Sequence, residues 1–297
     1  MIGAVDIGGT KIAVGMVDES GRLLARLENP TNPQRGPDSG LALICEMLRQ
    51  TASQAGGQLR GIGIGCTGPV DPFTGILACN EFLPGWEGMN LVEELSRSFG
   101  VSAAIENDAD ATALGESAWG AGRSAKRFLY VTVSTGIGGG LVFDGKLYRG
   151  VDGAHPEVGH HVIDPIGPAC FCGAHGCWES LASGPALARR GGQDSAQEVC
   201  AAAERGEPEA LAAVEREGYY LGLGLANLVT LFIPDIIALG GGVMRSRHLF
   251  WDAIQATIHQ NCGLVPHEKT VLLPATLGAD TGLIGAACVW LHRFGDY

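Results

Sequence analysis

A short glycine-rich turn between two apolar runs occurs twice in this chain, and this repetition constrains the possible folds most strongly. The first copy is DIGGTKIAVG at residues 6–15, and the second copy is STGIGGGLVF at residues 134–143. In each copy the turn lies between two strand-like runs, and a polar hairpin follows. The repetition predicts a duplicated α/β architecture in which both turns bind phosphate and face one cleft. Because glycine-rich hairpins are common, two unrelated structural hairpins are the alternative.

Apolar runs alternate with amphipathic stretches along the rest of the chain, which is typical of an α/β protein. Strands are predicted at residues 2–5, 12–17, 23–27, 61–65, 102–106, 128–133, 141–143, 236–239 and 271–273. Helices are predicted around residues 41–48, 91–99, 197–204, 209–232, 248–261 and 281–293, and at the residues that follow Asn107. We expect two α/β domains, namely residues 1–118 completed by a C-terminal helix at 281–297, and residues 119–280.

The charge and composition narrow the classes of partner. The 297 residues carry a formal net charge of -12, whereas binding to nucleic acid or to an anionic membrane requires a basic face. An anionic substrate must therefore be held by backbone N–H groups, a helix N-terminus or a metal ion, and ATP with Mg²⁺ fits that requirement. Nine cysteines without an export signal argue against a disulfide framework and predict a cytoplasmic protein.

The first glycine-rich turn has the residue types of a phosphate-binding site. Asp6 ends a buried-type strand, and Gly8, Gly9, Thr10 and Lys11 follow it closely. The glycines allow the backbone to approach a phosphate, Thr10 and Lys11 supply donors, and Asp6 can hold Mg²⁺ through water. An ordinary hairpin with a charged tip is the alternative.

Two other glycine patterns need a structural context before they indicate a ligand. The segment GIGCTG at residues 63–68 matches the dinucleotide pattern G-x-G-x-x-G, but Pro69 and Pro72 exclude the helix that this pattern requires. We interpret the segment, including Gly68, as a loop that lines the substrate, with a plain structural turn as the alternative. The chain also lacks the G-x-x-x-x-G-K-[ST] pattern of a P-loop.

A run of three glycines follows the predicted strand at residues 236–239, and the glycines are Gly240, Gly241 and Gly242. Because glycine has no side chain, such a turn can let adenine or ribose lie flat on the backbone. Close packing alone also explains the run.

The segment ENDAD at residues 106–110 lies where a predicted strand gives way to a helix. In α/β folds this position aims a side chain into a ligand crevice. Asp108 is our candidate general base, because phosphoryl transfer to an alcohol needs a carboxylate that accepts the hydroxyl proton. Helix capping by Asn107 or Asp108 is the alternative.

A cluster of histidine and cysteine residues has the spacing of a metal site. One histidine and three cysteines form a four-ligand set without an open position, which is typical of structural rather than catalytic zinc. The predicted ligands are His160, Cys170, Cys172 and Cys177. His161 and His175 are competing ligands, and three buried thiols without metal are the remaining alternative.

Together these segments resemble the ROK family of sugar kinases and related repressors, and the match runs nearly end to end. The resemblance implies the actin-like ATPase (ribonuclease H-like) fold, in which two similar α/β domains flank an ATP and sugar cleft. The matching segments are 6–11 for the first phosphate motif, Asn107 and Asp108 for the catalytic pair, Thr135 and Gly136 for the second phosphate turn, 240–242 for the adenosine loop, and Glu157, His160, Cys170, Cys172, Cys177 and Glu179 for the sugar and zinc signature.

The resemblance also implies the reaction and the roles of single residues. Asp108 would deprotonate the C6 hydroxyl of a hexose during ATP-dependent phosphorylation. Asn107, Glu157, His160 and Glu179 would hold the other sugar hydroxyls, and His160 would also bind the structural Zn²⁺. A zinc-locked loop would fix the two glutamates before ATP arrives.

The sequence indicates the identity of the sugar less clearly than the type of reaction. Glucose is the first candidate because the zinc loop is glucokinase-like, and N-acetylmannosamine, fructose or another hexose are alternatives. Family fructose kinases can show the His-Pro pair that this chain has at 155–156, but their metal loop usually carries a second histidine where this chain has Cys172.

Two further expectations follow from the resemblance. Family repressors carry an N-terminal helix-turn-helix domain, and we expect none here because Asp6 lies close to the start of the sequence. We expect a homodimer, because dimers are common in the family. A sugar-binding sensor without catalytic activity is the alternative of another class.

Overall fold

The computed structural model describes residues 1–295, which form two compact units. The first unit contains residues 1–124, residues 140–156 and the chain from residue 276 onward, and the second unit contains residues 125–139 and 157–275. The domain boundaries predicted from the sequence stay a prediction. The last two residues of the predicted segment 281–297 lie outside the described residues.

A five-stranded mixed sheet forms the centre of the first unit. Its strands are β1 (Ile2–Ile7), β2 (Lys11–Val17), β3 (Leu23–Pro30), β4 (Gly61–Cys66) and β5 (Ser102–Asn107), and its helices are α1 (Pro37–Ala55), α2 (Leu91–Phe99), α3 (Asp108–Trp119) and α9 (Thr281–Phe294). The strand order is β3-β2-β1-β4-β5. Strands β1, β4 and β5 are parallel, whereas β2 is antiparallel to both β1 and β3. The carboxyl ends of three strands therefore meet at one edge.

The alternation of side chains along β1 decides which face each residue supplies. Val5 and Ile7 pack in a core with α1 and α2, while Ile2 and Ala4 pack against α9. Asp6 has the parity of Ile2 and Ala4, so it faces the side of α9. This parity places a carboxylate near the N-terminal end of a helix, where a methyl group added at Gly282 would overlap it.

Strand β4 has the sequence GIGIGC, and its glycines let a helix pack directly on the backbone. A methyl group at Gly61 would overlap the indole of Trp290, and one at Gly63 would overlap the carbonyl oxygen of Ala286. Because successive side chains of a strand alternate between faces, these glycines share the face that α9 covers. Larger residues there would push α9 away from the sheet.

A second five-stranded sheet has the order β10-β9-β6-β7-β8. Its strands are β6 (Arg127–Val133), β7 (Ile137–Phe143), β8 (Lys146–Leu147), β9 (Ile236–Gly240) and β10 (Val271–Pro274). Read in chain order, the two sheets have the same arrangement: the third, second, first, fourth and fifth strands in sequence. The duplicated α/β architecture predicted from the two glycine-rich turns is therefore confirmed.

The second unit contains five helices among the described residues. They are α4 (Trp178–Ala182), α5 (Gly184–Arg190), α6 (Ala196–Glu204), α7 (Pro208–Phe232) and α8 (Trp251–Asn261). Gly218 and Gly222 lie one helical turn apart on α7, and a methyl group at either would crowd α8 residues. Trp178 is fully buried, and its indole Nε1 donates to the carbonyl oxygen of Tyr220 at 3.0 Å. These contacts anchor α4 and α8 on the long helix α7.

Most predicted elements match the structure within a few residues, and the differences have physical reasons. Helices α4 and α5 were not predicted, because they are only five and seven residues long and α5 begins with glycine and proline. The helix predicted at 248–261 instead begins at Trp251, after a 3-10 helix at Val243–Leu249. Among residues 1–295, no helix combines the length and the apolar character that a membrane span requires.

Candidate active site

The predicted residues of the first unit gather where the parallel strands end. Ile7 of β1 lies in register with Cys66 of β4, and Cys66 lies in register with Asn107 of β5. Asp6, Gly68 and Asn107 therefore lie at the carboxyl edge of the sheet, where α/β folds bind their ligands. Asp108 is the first residue of α3 and continues this edge.

Asn107 caps helix α3 and also faces the loop that contains Gly68. Its side-chain Oδ1 accepts a hydrogen bond from the backbone N–H of Ala109 at 2.8 Å. A methyl group added at Gly68 would lie 3.0 Å from the Nδ2 of Asn107, so the two residues are close neighbours. The capping role proposed as the alternative for Asn107 is thus present, and it directs the amide nitrogen toward the loop.

Two carboxylates of the first unit influence each other at the strand edge. Burial, together with the negative charge of Asp108, raises the pKa of Asp6 from 3.8 to about 7. Lys11 and Arg26 act in the opposite direction but do not cancel the effect. Oxygen ligands are the preferred donors for Mg²⁺, so this pair of carboxylates has the chemistry of a magnesium site.

A buried ion pair and a buried contact between a carboxylate and a histidine flank the Asn107–Asp108 pair, and sequence reasoning missed both. Glu106 is paired with Arg149, whose Nε donates to Oε2 at 3.2 Å, and burial raises the pKa of Glu106 despite this partner. Asp110 is 1% exposed and pairs with His155, the Nδ1 to Oδ2 distance being 2.8 Å. Both basic partners belong to residues 140–156, so this segment is held against the start of α3.

The acidic residues of these two contacts could be recognised in the sequence, since Glu106 and Asp110 each lie two positions from Asp108. Arg149 and His155 could not, because they are about 40 residues away along the chain and only the fold brings them near.

The first glycine-rich turn is closed by its own backbone and by one threonine. The N–H of Gly8 donates to the carbonyl oxygen of Lys11 at 2.9 Å. Thr31 donates through Oγ1 to the carbonyl oxygen of Gly8 at 2.6 Å and through its N–H to Thr10. The Nζ of Lys11 lies 3.1 Å from the carboxylate of Glu28 at the exposed surface. Gly9 packs on Phe82, which leaves little room for a side chain at that position.

The second glycine-rich turn is closed by a carboxylate from elsewhere in the second unit. Glu179 accepts a hydrogen bond through Oε2 from the N–H of Ile137 at 2.7 Å. A methyl group at Gly136 would overlap this carboxylate. Within the turn, the N–H of Ser134 donates to the carbonyl oxygen of Gly136 at 2.8 Å. Thr135 and Gly136 therefore lie in a turn whose shape depends on Glu179.

A cavity of about 300 Å³ in the second unit adjoins this turn. Its walls come from the turn, from α5, from α6 and its N-terminal flank, and from the end of the glycine run. The lining residues include Thr135, Gly184, Ala188, Asp194, Cys200 and Gly242. Gly241 has a φ of 92°, and a methyl group there would overlap the carbonyl of Val133, so the run passes directly over β6. Gly240 packs against the ring of Tyr130. Of the three glycines in the run, Gly242 lines the cavity.

The predicted metal ligands lie together in the second unit. His160, Cys170, Cys172 and Cys177 each offer one ligand atom, and these atoms all lie within 4.8 Å of one another. The Nδ1 of His160 is 3.4 Å from the Sγ of Cys170, and the Sγ atoms of Cys172 and Cys177 are 3.5 Å apart. Zinc bonds of about 2.3 Å to sulfur and about 2.0 Å to nitrogen place tetrahedral ligands roughly 3.4–3.8 Å apart. The geometry fits a closed zinc site.

The competing histidine His161 points elsewhere. Its Nδ1 contacts the carbonyl oxygen of Val158 at 2.5 Å, and its ring packs against Trp178. Within the metal cluster, burial raises the pKa of Cys177 to about 12. Because cysteine binds a metal ion as the thiolate, metal affinity should increase with pH.

Glu157 and His160 bracket a single 3-10 turn next to the cluster. The turn spans Val158–His160, and a methyl group at Gly159 would overlap the carbonyl oxygen of Ile137. The turn is thus packed against the beginning of β7. Glu157 itself is exposed, so its carboxylate is available to a ligand.

The comparison with known proteins establishes the family. The profile of the ROK family matches residues 2–293. This chain belongs to the ROK family. It is 32% identical over 312 residues to a glucokinase of Thermotoga maritima, and the alignment covers 98% of this chain and 97% of that protein.

Two solved structures of the ROK family are also similar to this chain. A ROK hexokinase from Thermus thermophilus matches with a TM-score of 0.88 and 35% identity over 98% of each chain. A ROK glucokinase from Streptomyces griseus, solved with glucose and AMPPNP, matches with a TM-score of 0.81 and 32% identity over 96% of this chain and 97% of that chain. The family resemblance and the actin-like ATPase fold expected from the sequence are thereby confirmed.

Proposed function

We propose that this chain is an ATP-dependent hexokinase that transfers the terminal phosphate of ATP to the C6 hydroxyl of a hexose, with glucose as the preferred sugar. The observation that carries the proposal is the position of two carboxylates at one edge of the sheet: Asp6 lies in register with Gly65, and a methyl group added at Gly65 would lie 3.7 Å from the Cα of Asp108. Phosphoryl transfer to an alcohol needs a carboxylate for the hydroxyl proton and another for Mg²⁺. The similarity to proteins named glucokinase supports the choice of sugar.

In the first unit, the proposal assigns the proton to Asp108. Its carboxylate accepts the proton of the attacking hydroxyl, while Asp6 holds Mg²⁺ through water. Mg²⁺, when bound, neutralises the charge that develops on the phosphates. Asn107 uses Oδ1 for the helix cap, so Nδ2 remains to donate to a sugar hydroxyl, next to Gly68. The backbone and side-chain donors of Gly8, Gly9, Thr10 and Lys11 bind phosphate oxygens.

In the second unit, the proposal assigns one set of residues to the sugar and another to the nucleotide. Glu157, His160 and Glu179 accept or donate hydrogen bonds to sugar hydroxyls. Adenosine occupies the cavity beside the glycine run, and the turn with Thr135 and Gly136 binds phosphates through backbone N–H groups.

The proposal includes a structural Zn²⁺ held by His160, Cys170, Cys172 and Cys177, because the four donor atoms lie within 4.8 Å of one another and two pairs are 3.4 and 3.5 Å apart. Bound zinc would supply rigidity rather than reactivity, since four protein ligands leave no open position. The homodimer and the cytoplasmic location stay predictions.

A coupled assay of ADP release with Mg²⁺ and ATP tests the proposed function. The sugars are glucose, mannose, fructose, N-acetylglucosamine and N-acetylmannosamine, and the expected result is the highest kcat/KM with glucose. An Asp108→Asn preparation purified in parallel controls for contaminating kinases. Preference for another hexose would correct the substrate, whereas sugar binding without turnover of any sugar would favour a sensor.

A further inference from the structure

A continuous segment of the second unit connects the metal cluster with the nucleotide cavity. Cys177 is one of the clustered ligands, and Glu179 follows it by two residues at the start of α4. The segment then continues to Gly184 and Ala188 of α5, which line the cavity. A side chain in this segment can therefore influence metal, sugar and nucleotide together.

Two hydrogen bonds fasten this segment to the second glycine-rich turn. The Oε2 of Glu179 accepts from the N–H of Ile137 at 2.7 Å, at one end of the turn. The N–H of Gly184 donates to the carbonyl oxygen of Ser134 at 2.7 Å, at the other end. The turn at residues 134–137 is thus held from both sides by residues 179–184.

The first of these bonds is the more informative, because it uses an ionisable side chain. A hydrogen bond to a charged acceptor contributes more than one between neutral groups, so Glu179 is a strong restraint on the turn. The close approach is also built into the turn, since a methyl group at Gly136 would overlap the carboxylate. The other oxygen, Oε1, has no hydrogen-bond partner among the described residues, so the side chain keeps acceptor capacity for a ligand.

We propose that Glu179 is a positioning residue for the nucleotide as well as a sugar ligand. Its carboxylate fixes the turn 134–137 in the shape that presents the N–H groups of Thr135 and Gly136 to phosphate. A sugar that binds Glu179 through Oε1 orders the same side chain, so sugar and nucleotide strengthen each other's binding. This coupling is reciprocal by thermodynamic necessity. The inference rests on the proposed function for the identity of the two ligands.

The test measures nucleotide affinity in the absence of sugar, which a residue that only contacts sugar cannot change. The Kd of Mg²⁺ with AMPPNP is measured by calorimetry for the full chain and for Glu179→Ala. Loss of a charge-assisted hydrogen bond that organises the turn should weaken this affinity by about tenfold. Glu157→Ala is the matched control. Glu157 is also a proposed sugar ligand, but it is exposed and precedes the 3-10 turn at Val158–His160. This variant should lose sugar affinity and keep the nucleotide affinity of the unmodified chain.

Glu179→Gln separates the two roles within one side chain. The amide oxygen of glutamine can still accept from the N–H of Ile137, so nucleotide affinity should stay within about threefold of the unmodified chain. Sugar affinity should fall, because a neutral amide replaces a charged acceptor. Measured with saturating glucose present, the unmodified chain should bind AMPPNP several-fold more tightly than without glucose, and Glu179→Ala should lose this enhancement.

Gly136→Ala tests the contact between Glu179 and the turn by changing the turn instead of the glutamate. The added methyl group displaces the carboxylate, so this variant should weaken nucleotide binding as Glu179→Ala does. In the double variant the two losses should not add, because both remove one interaction. Hydrogen exchange at the Ile137 amide should accelerate in each single variant.

The outcomes distinguish this inference from the proposed function. Unchanged AMPPNP affinity and unchanged Ile137 exchange in both Glu179→Ala and Gly136→Ala would overturn the positioning role, even if glucose is phosphorylated. Conversely, a tenfold loss of AMPPNP affinity in these variants supports the positioning role even if no sugar in the panel is a substrate. Thermal unfolding and zinc content, measured for each variant, identify any general loss of folding.

Discussion

The two glycine-rich turns of this chain have similar sequences and lie at the ends of equivalent strands, but they are held in different ways. The first turn is closed by a bond between Gly8 and Lys11 and by Thr31. The second turn is closed by the side chain of Glu179, which is 42 residues away from Ile137 in the sequence. The first turn is therefore held by hydrogen bonds within the turn and from the residue that follows β3, whereas the second is held by a side chain from a helix.

The position of negative charge follows the same division. In the first copy the carboxylate of Asp6 belongs to the strand itself, and its pKa is raised by burial and by Asp108. In the second copy β6 ends at Val133, and the carboxylate is supplied by α4. In our proposal, a duplicated backbone thus supports two tasks: the first copy carries the charge used in the reaction, and the second uses charge to shape a binding turn. The first copy should control kcat, and the second should control affinity.

The largest effect expected from this comparison is in the first copy. Asp108→Asn should lower kcat by about 10²–10⁴-fold, the usual contribution of a positioned general base. The measurement is steady-state ADP release with the preferred sugar, together with the Kd of AMPPNP. The amide is nearly isosteric, so folding and nucleotide affinity should remain. Turnover close to that of the unmodified chain would remove Asp108 from the proton transfer.

The next effect concerns the metal cluster of the second unit. Cys172→Ser should lower zinc affinity by about 10–100-fold or more, because even residues that only orient metal ligands have effects of that size. Sugar affinity should fall with it, since the cluster holds His160 and, through Cys177, the start of the Glu179 segment. Metal analysis of purified protein and calorimetry with glucose provide the two measurements.

Cys262→Ser is the control for that variant, because Cys262 is a buried thiol outside both the cluster and the cavity. It should retain zinc and sugar affinity. Full activity in a preparation free of zinc would exclude the structural role proposed for the cluster.

A smaller effect should appear in the pH dependence of the first copy. Mg²⁺ needs the ionised form of Asp6, whose pKa is raised to about 7. About nine-tenths of Asp6 would be ionised at pH 8 and about one-tenth at pH 6, so the Mg²⁺ concentration for half-maximal rate should rise by up to about tenfold between them. Rates measured over a Mg²⁺ series at both pH values check this. A half-saturation value that does not depend on pH would contradict the assignment.

The same pKa predicts how stability changes with pH in the absence of Mg²⁺. Because the pKa of Asp6 is raised above 3.8 in the folded chain, its favourable contribution is present at low pH and is lost as the pH rises through about 7. Thermal unfolding should show that Asp6→Asn reduces the fall in stability between pH 5 and pH 8. Asp18→Asn is a suitable control, because hydrogen bonding to Ser20 lowers the pKa of Asp18 to about 2 and it does not titrate in that window.

Local signals explain why some elements were predicted so closely. Helix α2 was predicted at its observed bounds, because Asn90 caps its N-terminus and Gly100 ends it in the left-handed region. Strand β7 was predicted to begin at residue 141, although it begins at Ile137. The glycines that follow Ile137 carry no side chain, so the alternation that indicates a strand is absent there.

In the candidate site, too, local patterns could be predicted and contacts between distant segments could not. The glycine-rich turns, the Asn107–Asp108 pair and the metal ligands could be selected from the sequence, because each is a local pattern of unusual residue types. The restraints on them could not. Arg149, His155 and the bond from Glu179 to Ile137 join segments that are about 40 residues apart, and no periodicity reports such contacts.

One of these unforeseen restraints gives the smallest expected effect on catalysis. The carboxylate of Asp110 is buried two residues after Asp108, with 2.8 Å between its Oδ2 and the Nδ1 of His155, and its Oδ1 has no hydrogen-bond partner among the described residues. His155→Ala would leave a buried carboxylate without this partner. Such a change should destabilise the fold by about 1–3 kcal/mol, which thermal unfolding measures.

The effect on the reaction should be modest, because His155 acts on α3 and not on the sugar or ATP in our proposal. We expect His155→Ala to lower kcat by about threefold to fivefold, corresponding to roughly 1 kcal/mol, while the Kd of AMPPNP remains unchanged. His155→Asn should recover most of kcat, because its amide N–H can replace Nδ1 as a donor to Asp110. His155→Ala could instead weaken AMPPNP binding and leave kcat unchanged. A restraint on the first copy would then control nucleotide affinity, and the division of tasks between the two copies would be wrong.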